Sequence, residues 1–87
     1  MNPFIKHLKK KGFEDWKNVN KDHFFQLLIK EDKETKLSIR WCFGEEYDGC
    51  YLTTLCKKLD YFTMVKLPHI KTTIELDFLI KTLKADV

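Results

Sequence analysis

The sequence predicts an α+β fold: an antiparallel β-meander of three to four strands with N- and C-terminal helices packed on one face. Three observations carry this. "NPFIKHLKKKGF" has a helix start, an apolar side and a helix stop. Residues 36–43 alternate apolar and polar. "TTIELDFLIKTLK" opens with a capping box and then returns to helical spacing. Periods of 3.6, then 2, then 3.6 again describe two helices flanking a sheet.

In the first helix, expected over residues 3–11, Asn2 is a good N-cap and Pro3 suits the first helical position. Phe4, Ile5 and Leu8 share one side. Gly12 can take the left-handed conformation that ends a helix, and Phe13 can then pack on Leu8. Lys6, Lys9, Lys10 and Lys11 form a basic cluster near the C-terminal end. There they offset the negative end of the helix dipole rather than building a phosphate cradle, which needs the free N–H groups of an N-terminus. Residues 13–19 read as a connector, with Phe13, Trp16 and Val19 spaced to tuck under the core.

"HFFQLLIK" is a strand, "EDKET" a hairpin loop and "KLSIRWCF" the clearest strand of the chain. In the last of these Leu37, Ile39, Trp41 and Phe43 face the core. Ser38, Arg40 and Cys42 face away, joined on that side by Gln26 and Lys30 of the neighbouring strand. "GEEYDG" is a second hairpin loop, too short for a calcium loop. Residues 50–56 and 61–66 read as strands around a Lys57–Asp60 turn. Leu52, Leu55, Cys56 and Leu59 also fit a helical stripe, but the density of Tyr, Thr, Phe and Val favours strands. Pro68 closes the last strand.

Thr72 and Glu75 form the capping box of a second helix over residues 73–85, where Asp77 and Lys81 are spaced for an i, i+4 pair. Leu76, Leu79, Ile80 and Leu83 make its main apolar face, with Ile74 and Phe78 nearly opposite. The first helix or the 13–19 connector is expected to cover these two; left open, they form a patch for a protein partner.

Eighty-seven residues are read as one domain spanning 1–87, a size that buries roughly 60–65% of its unfolded surface. Seven Phe, two Trp and three Tyr suffice for a core. No apolar run approaches the roughly 20 residues of a membrane span, and the N-terminus lacks a signal-peptide layout, so a cytoplasmic protein with no membrane association is expected. The formal charge is +3, with all of the excess in residues 1–22, so the chain is mildly basic. Cys42, Cys50 and Cys56 lack the close pairing of zinc ligands and read as reduced, small hydrophobes. Three glycines form no phosphate loop, and nothing in the His and Cys spacing selects a nucleophile with its base. The order of elements invites comparison with the double-stranded RNA-binding domain, but Thr72-Thr73-Ile74-Glu75 stands where a glycine and basic run would open the second helix.

The functional expectation is a small, stand-alone, non-enzymatic module that binds a protein as a regulator or inhibitor, without catalytic residues, metal or cofactor. Nucleic-acid binding through the first-helix lysines and the polar sheet face is the alternative, and a small enzyme comes third. The candidate partner-binding residues are Lys6, Lys9, Lys10, Lys11, Gln26, Lys30, Arg40, Ile74 and Phe78.

Overall fold

A computed structural model describes residues 3–17, 23–44 and 46–85. The elements are α1 (Pro3–Lys10), β1 (Glu14–Lys17), β2 (His23–Glu31), β3 (Thr35–Phe43), β4 (Asp48–Cys56), β5 (Tyr61–Lys66) and α2 (Thr73–Ala85). All strands are antiparallel in one sheet, in the order β1-β2-β3-β4-β5. The α+β meander is as expected, but it has five strands rather than three to four. The extra strand is β1, taken from the expected connector. Its four residues, Glu14–Lys17, alternate too briefly to be legible, and pairing with β2 is what makes them a strand.

The stop of α1 is a Schellman motif. The Phe13 N–H donates to the Leu8 carbonyl at 3.0 Å and the Gly12 N–H to the Lys9 carbonyl at 3.1 Å. Gly12 has φ +96°, the left-handed region that favours glycine. Leu8 and Phe13 are both buried, the apolar contact that accompanies this stop. The expected cap Asn2 and the expected core residue Val19 lie outside the described residues.

Leu8 of α1 and Leu76 and Ile80 of α2 share a core with Phe25, Leu27, Ile39, Trp41 and Cys50. The ladder places these strand residues on one face, since Phe25 pairs with Trp41, Trp41 with Cys50, and Leu27 with Ile39. Phe4 packs on Trp41 with ring centroids 4.5 Å apart. Both helices therefore cover the same face of the sheet.

Two expected contacts are replaced. Asp77 turns away from Lys81 towards α1, where its Oδ1 lies 2.8 Å from His7 Nε2 and its Oδ2 3.8 Å from Lys11 Nζ. Trp16 is not tucked under the core. It stands on the other face of the sheet, half exposed and stacked on Phe24 at 6.2 Å.

A bulge in β2 corrects a third expectation. Leu28 pairs with Ser38, but the next paired residue, Lys30, faces Leu37. Side chains alternate strictly along a strand, so one extra residue flips everything beyond it. Ile29 keeps the face of Phe25 and Leu27 at the core margin, and Lys30 leaves the face of Gln26 and Arg40 for the helix side. The turns follow local chemistry. Asp32 Oδ1 accepts from the Glu34 and Thr35 N–H groups at 2.8 and 2.7 Å, and Asp60 adopts φ +50°.

The capping box of α2 forms as expected: the Glu75 N–H donates to Thr72 Oγ1 at 3.3 Å, and the Thr72 N–H to Glu75 Oε1 at 3.0 Å.

Two outcomes test this local structure. Gly12→Ala is expected to cost about 1 kcal/mol, from backbone strain alone, because a Cβ there would meet nothing closer than Leu27 Cδ1 at 3.7 Å. An unchanged urea midpoint would mean that α1 does not stop there. The Lys71 N–H, then the Thr72 hydroxyl and N–H, hold the Glu75 carboxyl below the usual carboxylate range. A depressed folded-state pKa stabilises above the unfolded pKa and is lost as pH falls through the folded value. The Lys71 and Thr72 amide resonances should therefore titrate together with a midpoint below the ordinary glutamate range; a midpoint within or above that range would contradict the capping geometry.

Candidate functional site

Among the described residues no helix lies on the second face of the sheet, yet parts of it are dry. Ser38, Cys42 and Thr53 are only 3–5% exposed, although the ladder places them opposite the core side chains. Their cover comes from longer neighbours on the same face. Arg40 of β3 lies with its guanidinium carbon 4.2 Å from the ring centroid of Phe24 on β2 and 5.3 Å from that of Phe62 on β5. Phe24, Arg40 and Phe62 thus form a row that spans the sheet from β2 to β5. Cation–π attraction holds the row together. Beneath it the Thr53 hydroxyl donates to the Ser38 carbonyl at 3.2 Å, so the covered polar groups are satisfied.

Gln26 sits directly across from Arg40 in the β2–β3 ladder. Its Oε1 accepts from Arg40 Nε at 3.2 Å and from Nη2 at 2.9 Å. Burial works against the charged guanidinium and lowers its pKa from the ordinary value, but an arginine remains protonated in proteins. No carboxylate of the described residues lies within 4.0 Å of it. A cavity of about 220 Å³ opens at the row, between Phe24, Arg40, Tyr47, Phe62 and Met64. A shallower hollow on the other side of Arg40 reaches Lys36 and Leu55. Among the described residues neither lining contains an acid.

The helix side has a different surface. Ile74 is 79% exposed and Phe78 71% exposed, which overturns the expectation that the first helix or the connector covers them. Residues Glu14–Lys17 of the connector are instead β1, paired with β2 in the sheet. α1 packs into the core beside Leu76 and Ile80 and reaches α2 at Asp77, a quarter turn away from Phe78 on the helix wheel. Lys6, Lys9 and Lys10 of α1, and Lys11 just after it, are all exposed. Lys11 approaches Asp77, whereas the other three have no ion-pair partner among the described residues.

The structure thus divides the candidate residues between two surfaces. Gln26 and Arg40 are brought together on the open sheet face. The lysines of α1, and Ile74 and Phe78 of α2, lie on the helix side, and Lys30 joins that side through the bulge. Sequence reasoning missed Phe24, Tyr47 and Phe62. The alternation of β2 and β3 contains the signal for Phe24, which pairs with Cys42 and so shares the face of Arg40. Phe62 becomes visible only once the β4–β5 register, Leu55 with Phe62, is known.

His7 and His23 each hydrogen-bond a carboxylate, Asp77 at 2.8 Å and Asp15 at 2.6 Å. Neither bonds a hydroxyl or thiol among the described residues, so no nucleophile–base pair forms there. Burial pushes the Cys50 thiol up to about 12, with Cys42 adding to the shift, and a thiol held that high is not a nucleophile at neutral pH. Among the described residues there is no cluster of three His, Cys, Asp or Glu side chains that could hold a metal ion, and no helix long and apolar enough to cross a membrane. No protein-family model matches the chain, and no curated protein or solved structure matches it.

Proposed function

We propose that this chain is a non-enzymatic module that binds a protein partner through the outer face of α2, and that it acts as a regulator or inhibitor of that partner. The observation that carries this reading is the exposure of Ile74 and Phe78, 79% and 71%. They are four residues apart, hence neighbours on one side of the helix, and that side points directly away from the sheet. Scattered apolar residues are ordinary on a surface. Adjacent large ones at the solvent pole of a core helix serve no folding purpose, and burying a side chain of this size contributes about 1.5–3 kcal/mol. Helix-in-groove recognition uses anchors with this spacing.

The surrounding charge defines the partner. Lys81 and Lys84 of α2 and Lys71 just before it flank the pair, and Lys6, Lys9 and Lys10 are exposed on α1, which covers the same face of the sheet. Asp77 is engaged by His7 and Lys11, and Glu75 by its own capping box. A partner surface with an apolar groove and an acidic rim complements this face. Nucleic-acid binding is less well supported. The α1 lysines and the Arg40–Gln26 pair lie on opposite faces of the sheet, so one strand or duplex does not meet both.

The test sets two residues of α2 against each other. Leu76→Ala is expected to cost about 2–5 kcal/mol of stability, because Leu76 is fully buried. Phe78→Ala should leave the urea midpoint nearly unchanged and weaken the partner complex by about 2 kcal/mol or more, as a hot spot does. Binding should weaken moderately with salt, because the charged rim is screened while the apolar anchors are not, in contrast to the steep dependence that phosphate contacts impose. Loss of stability in Phe78→Ala would return that ring to the core. A nuclease-sensitive, steeply salt-dependent complex would replace the protein partner with a nucleic acid.

A further inference from the structure

Arg40 is held more rigidly than a roof over the sheet requires. A guanidinium has five N–H donors in a planar fork. Gln26 Oε1 takes the edge formed by Nε and Nη2, at 3.2 and 2.9 Å. The opposite edge, formed by Nη1 and the second Nη2 hydrogen, has no protein acceptor among the described residues. Phe24 and Phe62, with ring centroids 4.2 and 5.3 Å from its central carbon, flank the group. What remains is one donor edge of set direction, carrying a full positive charge with no carboxylate of the described residues beside it.

Beside that group lies the cavity of about 220 Å³. Phe24, Phe62 and Met64 make its lining largely apolar, and Tyr47, 43% exposed, stands at its rim. Pockets for drug-sized ligands run from roughly 300 Å³ upwards, so this one suits a single ring or one side chain. Two parallel N–H groups match the two oxygens of a carboxylate. An apolar hollow next to them discriminates against ions that have no apolar body.

We propose that Arg40, seated between Phe24 and Phe62 and positioned by Gln26, is a recognition site for a carboxylate attached to a small apolar body. Two sources supply that chemistry: a free one-ring acid, or the C-terminal residue of a polypeptide. The site is on the sheet face away from α2, so it stands or falls independently of the α2 surface.

The experiment is a titration of the ¹⁵N-labelled full chain, followed by two-dimensional NMR. Sodium benzoate should give saturable shifts at the Arg40 Nε–H and at the Phe24 and Phe62 amides, while benzamide, the neutral analogue, should bind at least tenfold more weakly. Arg40→Met retains an unbranched stem between the rings and should abolish the benzoate response; Arg40→Lys retains the charge without the fork and should weaken it at least tenfold. A short peptide ending in a free Phe, compared with its amidated form, separates the sources. Saturation by the free peptide at lower concentration than benzoate identifies a chain terminus, and the reverse order identifies a small acid. The proposal is overturned if benzoate gives no saturable shift, if benzamide matches it, or if inorganic phosphate binds as tightly. Because benzoate, benzamide and phosphate are all compared on the unmodified protein, the outcome does not depend on any variant folding.

Discussion

A sheet has two faces, and the helices of the described residues cover one. That constraint organises the structure. Five strands must be covered by helices of eight and thirteen residues, and both lie on the same side, where Leu8, Leu76 and Ile80 meet Phe25, Ile39 and Trp41. The second face is kept dry by side chains of the sheet itself. Short residues, Ser38, Cys42 and Thr53, line its middle, and the Phe24–Arg40–Phe62 row closes over them. An arginine suits the centre of that row because its long stem covers apolar surface while its flat head stacks on aromatic rings. The opposite edge of the same head is left with donors that folding does not use.

Coverage on the helix side is uneven as well. Of the strands, α2 lies closest to β2, so β5 is beyond its shelter, and Val65 and Tyr61 on the helix face of β5 stay 58% and 62% exposed. The edge strands are nevertheless poor templates for further pairing. β1 has only four residues, and β5 has six, with Asp60 and Lys66 at its ends. Short, charge-flanked edges resist edge-to-edge association. Ile74 and Phe78 have no such protection, which singles out the α2 surface among the exposed apolar positions of the molecule.

The features that sequence reasoning recovered are those governed by neighbours along the chain. The α1 stop follows from Gly12 and Phe13, the α2 start from Thr72 and Glu75, and the faces of β3 from strict alternation between Leu37 and Phe43. The features it missed depend on which segments meet. β1 is four ordinary residues until β2 offers a partner. Lys30 changes face because the β2 ladder slips by one residue, and nothing in "HFFQLLIK" marks where. Asp77 has Lys81 at helical spacing, yet His7, seventy residues away, is the group it contacts. The same division applies to the candidate sites. Gln26 and Arg40 were legible because the alternation puts them on one face, while Phe62, which completes the row, depends on a register set by the Lys57–Asp60 turn.

Ile74 and Phe78 are informative because they defy the economy of burial. A small chain should use every large apolar side chain in its core, and on that ground both should be covered. Each candidate cover is instead occupied elsewhere, α1 by Trp41 and Leu76 in the core and the connector by pairing with β2. What remains at the pole of α2 is apolar surface that folding had the opportunity to bury and did not. The capping box holds α2 at its start, and Leu76 and Ile80 anchor it to the sheet. Ile74 and Phe78 are therefore presented on a helix that is already rigid, and a partner that buries them need not supply the entropy of ordering it.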